Sequence, residues 1–424
     1  MCLAGPRVAV SDDDVNAVRA AACPFFEHRR AIARRTPPYY REALSVVHGM
    51  MGSVHDTRLL ALRLRHHRLA APARTVAAAA AHMLATQTQE FWGGRWALAV
   101  RSSGAPTMRS VDAAFDDGTL VRSWTMRGTL HITPAEDVRW MLGVTGERML
   151  RSARKRHADL GLDAKTQARA ETVLVQALRG GGALSRAEAF AVLAAGGVDP
   201  AGQRGYHLLF TLAARALICW GPVVARSDGP TREQRIVLVD EWIPRSSTPA
   251  DPLAEFFTRY IIGHGPAGVA DFAWWAGLPL GMARQAADAA LASGGVKLVP
   301  GDRAEGESFF IASSVPRAAP LAATTASSPR EQVYALPPFD EYYLSYANRE
   351  GVCAPEFLPA IGPGKNGMVR PVLVSRGEVV GTWSQPKASD KRGVMASAEL
   401  FRGDEVDMGA VSAALERFTA FRES

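Results

Sequence analysis

Apolar residues in this chain recur mostly at the three-and-four spacing of helices, interrupted by short alternating stretches that read as strands. From Thr57, RLLALRLRHHRLAAP and then TVAAAAAHMLA carry the helical period. A β stretch follows at Leu120–Ile132, LVRSWTMRGTLHI. Thr133-Pro134-Ala135-Glu136 has the form of a capping box with proline at the first helical position, predicting a helix over AEDVRWML. Ser185-Arg186-Ala187-Glu188 has the same form and opens a helix that stops at Gly196-Gly197. A longer amphipathic helix is predicted over Ala201–Leu217, with Leu208, Leu209, Leu212, Ala213 and Leu217 on one stripe. LICWGPVVA and RIVLVDEWI then read as two strands joined by the turn-rich SDGPTREQ.

Helix, tight turn, helix and two joined strands is the element order of a winged helix. A third copy of that order follows in LAEFFTRYIIGHG, GVADFAWWAG and PLGMARQAADAALASGG, with KLVPG and SFFIASS as its strands. The repetition is one of element order and not of residues. A low-complexity linker, Ser313–Arg330, leads to a strand-rich unit with a hairpin turn at Arg376-Gly377 and a closing helix near Gly409–Arg422. The expected fold is α+β: three tandem winged-helix units at 56–160, 161–250 and 251–315, and a small β-rich unit at 331–424. Residues 1–55, with Pro37-Pro38 and no clean period, read as a partly ordered extension.

Composition narrows the class. At 424 residues and 47% hydrophobic content the chain has material for several packed cores. No apolar run approaches the ~20 residues of a membrane span. The four cysteines, Cys2, Cys23, Cys219 and Cys353, are scattered and read as free thiols of a reducing cytoplasm. The ten histidines show no metal-ligand spacing, and neither a phosphate-binding nor a dinucleotide fingerprint is present, so no cofactor is expected. Net charge is +7, concentrated in residues 1–74 and in Arg151-Ser-Ala-Arg154-Lys155-Arg156, which permits an anionic partner.

The most telling short segment is Gln87-Thr88-Gln89, between an apolar helix and an aromatic cluster. Two carboxamides are neither bases nor nucleophiles, but each orients a water and presents a dipole, which suits a substrate that is already activated. On a regular helix positions i and i+2 point about 200° apart, so joint action requires the backbone to leave the helix after TVAAAAAHMLA.

Several stretches together resemble the winged-helix DNA glycosylases of the AlkZ/YcaQ type. They are Gln87-Thr88-Gln89, WTMRGTLH from Trp124 to His131, AEDVRWML, ADFAWWAGLPL, PPFDEYYLSYANR and NGMVRPVLV…GEVVGTW. The resemblance covers roughly 57–415. It implies a C-shaped monomer that binds duplex DNA and hydrolyses the N-glycosidic bond of N7-alkylated purines, including bulky natural-product adducts and interstrand crosslinks in antibiotic self-resistance. It also implies Gln87 and Gln89 as the catalytic pair. Thr88 departs from the apolar residue common at that position. N7 alkylation places positive charge on the base, so departure needs no strong acid, only a positioned water and dipoles facing an oxocarbenium-like sugar. With six lysines, none in these motifs, a Schiff-base step is not expected.

Around that pair, Arg127 and His131 sit at even spacing in a β-like segment and are candidates for phosphate or sugar contact, His131 also as a proton carrier. Lys365, Asn366 and Arg370, leading into the final hairpin, are candidates for a DNA groove. Asp340-Glu341 reads as a turn and cap, with an acidic role near the site as the alternative; Phe91, Trp92, Trp96, Tyr342, Tyr343 and Tyr346 read as core, with stacking on a lesion as the alternative. The competing reading is a non-catalytic winged-helix transcriptional regulator.

Overall fold

The computed structural model describes residues 57–224, 233–243, 245–300, 308–313, 332–364, 367–385, 396–403 and 406–424. The 1–55 extension, nearly all of the 313–330 linker, and Lys365 and Asn366 lie outside them.

Helices α1 (Thr57–His66) and α2 (Val76–Met83) open the described chain. Thr75 caps α2 by accepting the Ala78 N–H. After Met83 the chain reverses at Leu84, with φ 61° and ψ −50°, and the Ala85 N–H bonds Met83 O at 2.7 Å. This is the tight γ-turn that non-glycine residues rarely adopt, and it converts helix into the short strand β1, Thr86–Gln87. Helices α3 (Phe91–Val100) and α4 (Met108–Asp116) follow, and then β2 (Leu120–Met126) and β3 (Thr129–Pro134). The predicted capping box at Thr133 does not form. β3 runs through Pro134, a 3₁₀ turn takes Ala135–Asp137, and α5 spans Val138–Asp159.

The next region holds α6 (Ala164–Leu178), α7 (Arg186–Ala195) and α8 (Arg204–Ala214), then β4 (Ile218–Val223), β5 (Gln234–Leu238) and the single turn α9 (Val239–Trp242). The Ser185–Glu188 box closes in both directions. Here the expected order of helices and paired strands is met, but the wing-like hairpins are not separate. The sheet order is β1-β3-β2-β4-β5, joined through the Arg122–Trp220 pair, so the first two hairpins form one five-stranded antiparallel sheet.

α10 (Pro252–His264), α11 (Val269–Ala276) and α12 (Leu280–Ala292) precede a two-stranded ribbon, β6 (Val296–Pro300) and β7 (Ser308–Ala312). The last region holds β8 (Val333–Leu336), the short helices α13 (Glu341–Leu344) and α14 (Leu358–Ile361), and β9 (Val372–Ser375). It closes with β10 (Glu378–Ser384), β11 (Ser397–Leu400) and α15 (Met408–Glu423). Its strands form a second sheet, and the β9–β10 hairpin turns at Arg376-Gly377, both at positive φ, as the sequence predicts.

One apolar core runs through α1–α4, α10–α12 and the last region, from Leu60 through Phe256 and Trp275 to Trp383 and Phe418. A separate core fills the α6–α8 region around Leu174, Leu193 and Leu209. A third cluster, including Val121, Leu142 and Cys219, joins them across the five-stranded sheet.

Candidate active site

The γ-turn at Leu84 does what joint action of Gln87 and Gln89 requires: it takes the chain out of the helix before the motif. Gln87 ends β1 and Gln89 sits at a bend two residues on, with its carboxamide oxygen on the Leu130 N–H of β3. β1 pairs with β3 so that Gln87 lies opposite His131, and the Thr88 N–H continues the ladder to Leu130 O at 2.8 Å. Cross-strand partners lie side by side, so Gln87 and His131 are neighbours. Gln87 is buried and Gln89 half-buried.

Arg127 reaches this pair by a different route from the one its spacing predicts. It is not on the strand with His131 but at the β2–β3 hairpin turn, where Arg127 and Gly128 both take positive φ (56° and 71°). That two-residue turn matches strand twist, and it aims the guanidinium back over the ladder. Arg127 Nη2 donates to Gln87 Oε1 at 2.8 Å and to His131 Nε2 at 3.2 Å. His131 is fully buried, and burial, aided by the Arg127 charge, holds its imidazole well below the usual range. It is therefore a neutral acceptor behind Arg127.

The carboxamides are held the right way round by chemistry alone. Arginine has no acceptor, so Gln87 must turn its oxygen to Arg127. Gln89 Oε1 likewise accepts the Leu130 N–H, at 3.4 Å. Each oxygen keeps a second lone pair, and each NH₂ group lies on the other side.

The backbone between them is fixed from two further directions. The Gln87 N–H donates to Glu341 Oε1 at 2.8 Å, and Arg122 Nη2 clasps Thr88 O at 2.9 Å. Thr88 is buried on the opposite face, which accounts for an apolar preference at that position. A Cβ on Gly94 of α3 would come within 2.3 Å of Thr88 Oγ1, so only glycine lets α3 lie this close.

Asp340 and Glu341, read together as a turn and cap, part company in the structure. Asp340 behaves as the expected cap, accepting the Tyr342 N–H, and is also paired bidentately with the buried Arg101 at 2.7 and 2.9 Å. Glu341 points instead into the core beneath Gln87. Its Oε2 accepts from Trp275 Nε1 at 2.8 Å and Ser345 Oγ at 2.9 Å. Burial pushes the Glu341 carboxyl up from its ordinary value, opposed first by Arg127 and then by these donors. All three partners are donors, the arrangement an ionised carboxylate takes. No local signal marks it, since 254 residues separate it from Gln87.

The aromatics are core, as predicted. Trp96 donates to Ala335 O and Tyr346 to His264 O, tying the last region to the rest, while Tyr342 donates to Gly377 O within it. Arg370 is exposed and paired with Glu399 at 2.9 Å on the second sheet, where no contact with the Gln87 cluster is formed among the described residues. Among those residues no group of three or more His, Cys, Asp and Glu is arranged to hold a metal, and no helix is long and apolar enough to cross a membrane.

A family model for AlkZ-like DNA glycosylases matches residues 80–421, and the chain belongs to that family. It is a DNA glycosylase, with DNA as its substrate. The fold is similar to that of Streptomyces sahachiroi DNA glycosylase AlkZ, with a TM-score of 0.66 at 20% identity, covering 88% of this chain and 97% of that one. Among curated proteins no sequence matches.

Proposed function

We propose that this glycosylase hydrolyses the N-glycosidic bond of N7-alkylated guanine in duplex DNA, bulky adducts and crosslinked bases included, with Gln87 and Gln89 at the reaction centre. The observation that carries the reading is the pair of oriented carboxamides beside β3, Gln87 Oε1 on Arg127 and Gln89 Oε1 on the Leu130 N–H. Their free lone pairs converge on a water, and the cationic base leaves without an acid. Arg127 holds Gln87 in place and faces the DNA backbone; neutral His131 supports Arg127. Glu341 anchors the Gln87 peptide and adds negative charge behind a site where positive charge develops on the sugar. Hydrolysis is monofunctional, with water as the nucleophile.

The test is incubation with duplex DNA containing 7-methylguanine or a larger N7 adduct, read as released base and alkali-sensitive abasic sites. Gln87→Ala and Gln89→Ala are each expected to slow release more than tenfold, about 1.4 kcal/mol of barrier. Wild-type protein that releases no N7-alkylated base, or variants with unchanged rates, would sink the assignment.

A further inference from the structure

Next to the Gln87 cluster lies a cavity of about 340 Å³ whose polar wall is made by Arg127, Arg148, Arg151 and Ser152. Thr145 also lines it, but its hydroxyl is committed to Thr125 O and Met141 O. No carboxylate is among the lining residues, and the remaining wall is the apolar Met149, Ala276 and Leu278 with Gly277. Arg148 and Arg151 are one turn apart on α5, so both project toward the same side. The acid nearest Arg151 is Glu147, 3.7 Å away and 80% exposed, too loose a partner to neutralise it.

Gly277 organises the wall. Its φ of 68° favours glycine, and a Cβ there would approach Arg127 Cγ to 3.1 Å. Its carbonyl accepts Arg148 Nε at 2.8 Å, which holds that guanidinium at the cavity. Arg127 belongs to both places: its Nη2 bonds Gln87, and the residue also lines the cavity. Three guanidiniums against an apolar wall form a receptor for a compact dianion or monoanion with several acceptor oxygens.

We infer that this cavity seats one phosphate of the DNA backbone beside the reacting nucleotide, with Arg127 shared between that phosphate and Gln87. The choice of DNA as the source of the phosphate rests on the glycosylase reading; the site itself does not. Seating the phosphate would set the register of the strand relative to the two carboxamides, since phosphate contacts position what base contacts specify.

The experiment measures Kd for duplexes carrying a single neutral methylphosphonate, moved one position at a time around a 7-methylguanine, with wild type, Arg148→Met and Arg151→Met. Thermal melting checks that both variants fold. The expected result is one position, or two adjacent ones, where neutralisation weakens wild-type binding about tenfold and has little further effect in either variant. The slope of log Kd against log salt should fall by about one per arginine removed. Losses that persist undiminished in the variants at every position would overturn the pocket, as would variants that bind like wild type. Inorganic phosphate, compared with chloride at equal ionic strength, separates the sources. If phosphate displaces DNA from wild type only, while no methylphosphonate position couples to the arginines, the site takes a free anion and the DNA assignment is wrong. Base release is followed in parallel: coupling without release would overturn the proposed lesion chemistry and leave the pocket standing.

Discussion

Glu341 shows how one buried side chain fixes the backbone of a candidate catalytic residue far from it in sequence. Its carboxylate bonds the Gln87 peptide N–H on one oxygen, and Trp275 and Ser345 on the other. Glu341→Gln keeps the shape but replaces one acceptor with an NH₂ that must face a donor, either the Gln87 N–H or the Trp275 and Ser345 pair. Base release is expected to slow at least tenfold, about 1.4 kcal/mol, with Kd for lesion DNA within about twofold of wild type. An equal loss in Kd would mean that Glu341 serves binding and not positioning. The Gln-x-Gln motif was legible from the sequence because both amides lie in one tripeptide. Glu341 and Arg122 were not, because their roles come from contacts across the fold.

Among the elements, α3 and β1 define the site by their closeness. Gly94 lets α3 lie against Thr88, the residue between the two amides. Gly94→Ala would normally favour a helix, yet here the methyl group meets Thr88 Oγ1 and Cβ and Ile132 Cδ1. The variant is expected to lose about 1–3 kcal/mol of stability and to release base more slowly than wild type at a temperature where both are folded. Denaturant unfolding and single-turnover kinetics check the two effects, and an unchanged rate would separate α3 from the motif. Hydrophobic periodicity and capping signals found α1, α2, α7, α8 and α10 to α12, and a turn dipeptide found the last hairpin. α3 and α6 escaped it, α3 because aromatic and glycine positions blur its period. The Thr133 capping box failed because pairing with Val121 in the sheet won over local capping.

At the scale of the whole molecule, seven imidazoles sit where burial lowers their affinity for protons: His66, His67, His82, His131, His157, His207 and His264. The unfolded chain takes up protons near pH 6.5, the folded one only well below, near 4 for His82 and near 3 for His264. Their contribution to stability is thus fully present above 6.5 and is lost as pH falls toward 3–4. For buried His264 the loss by pH 5 is about 2 kcal/mol. Glu341, raised by burial, acts in the opposite direction, because the folded state holds its proton more tightly. The histidines outnumber it, so Tm is expected to drop between pH 7.5 and pH 5. A Tm that rises over this interval would show that these imidazoles are hydrated.

Sequence alone determined the helices with clean apolar stripes, the last hairpin turn and the chemical character of the Gln87–Gln89 pair, because each depends on residues within a few positions of one another. Tertiary structure decided that two hairpins share one sheet, that one core joins residues 57–141 to the last region, and that Arg127 and Glu341 converge on Gln87, one on its side chain and one on its peptide N–H. Those outcomes depend on which surfaces bury most completely against each other, a property of the folded chain that no local pattern encodes.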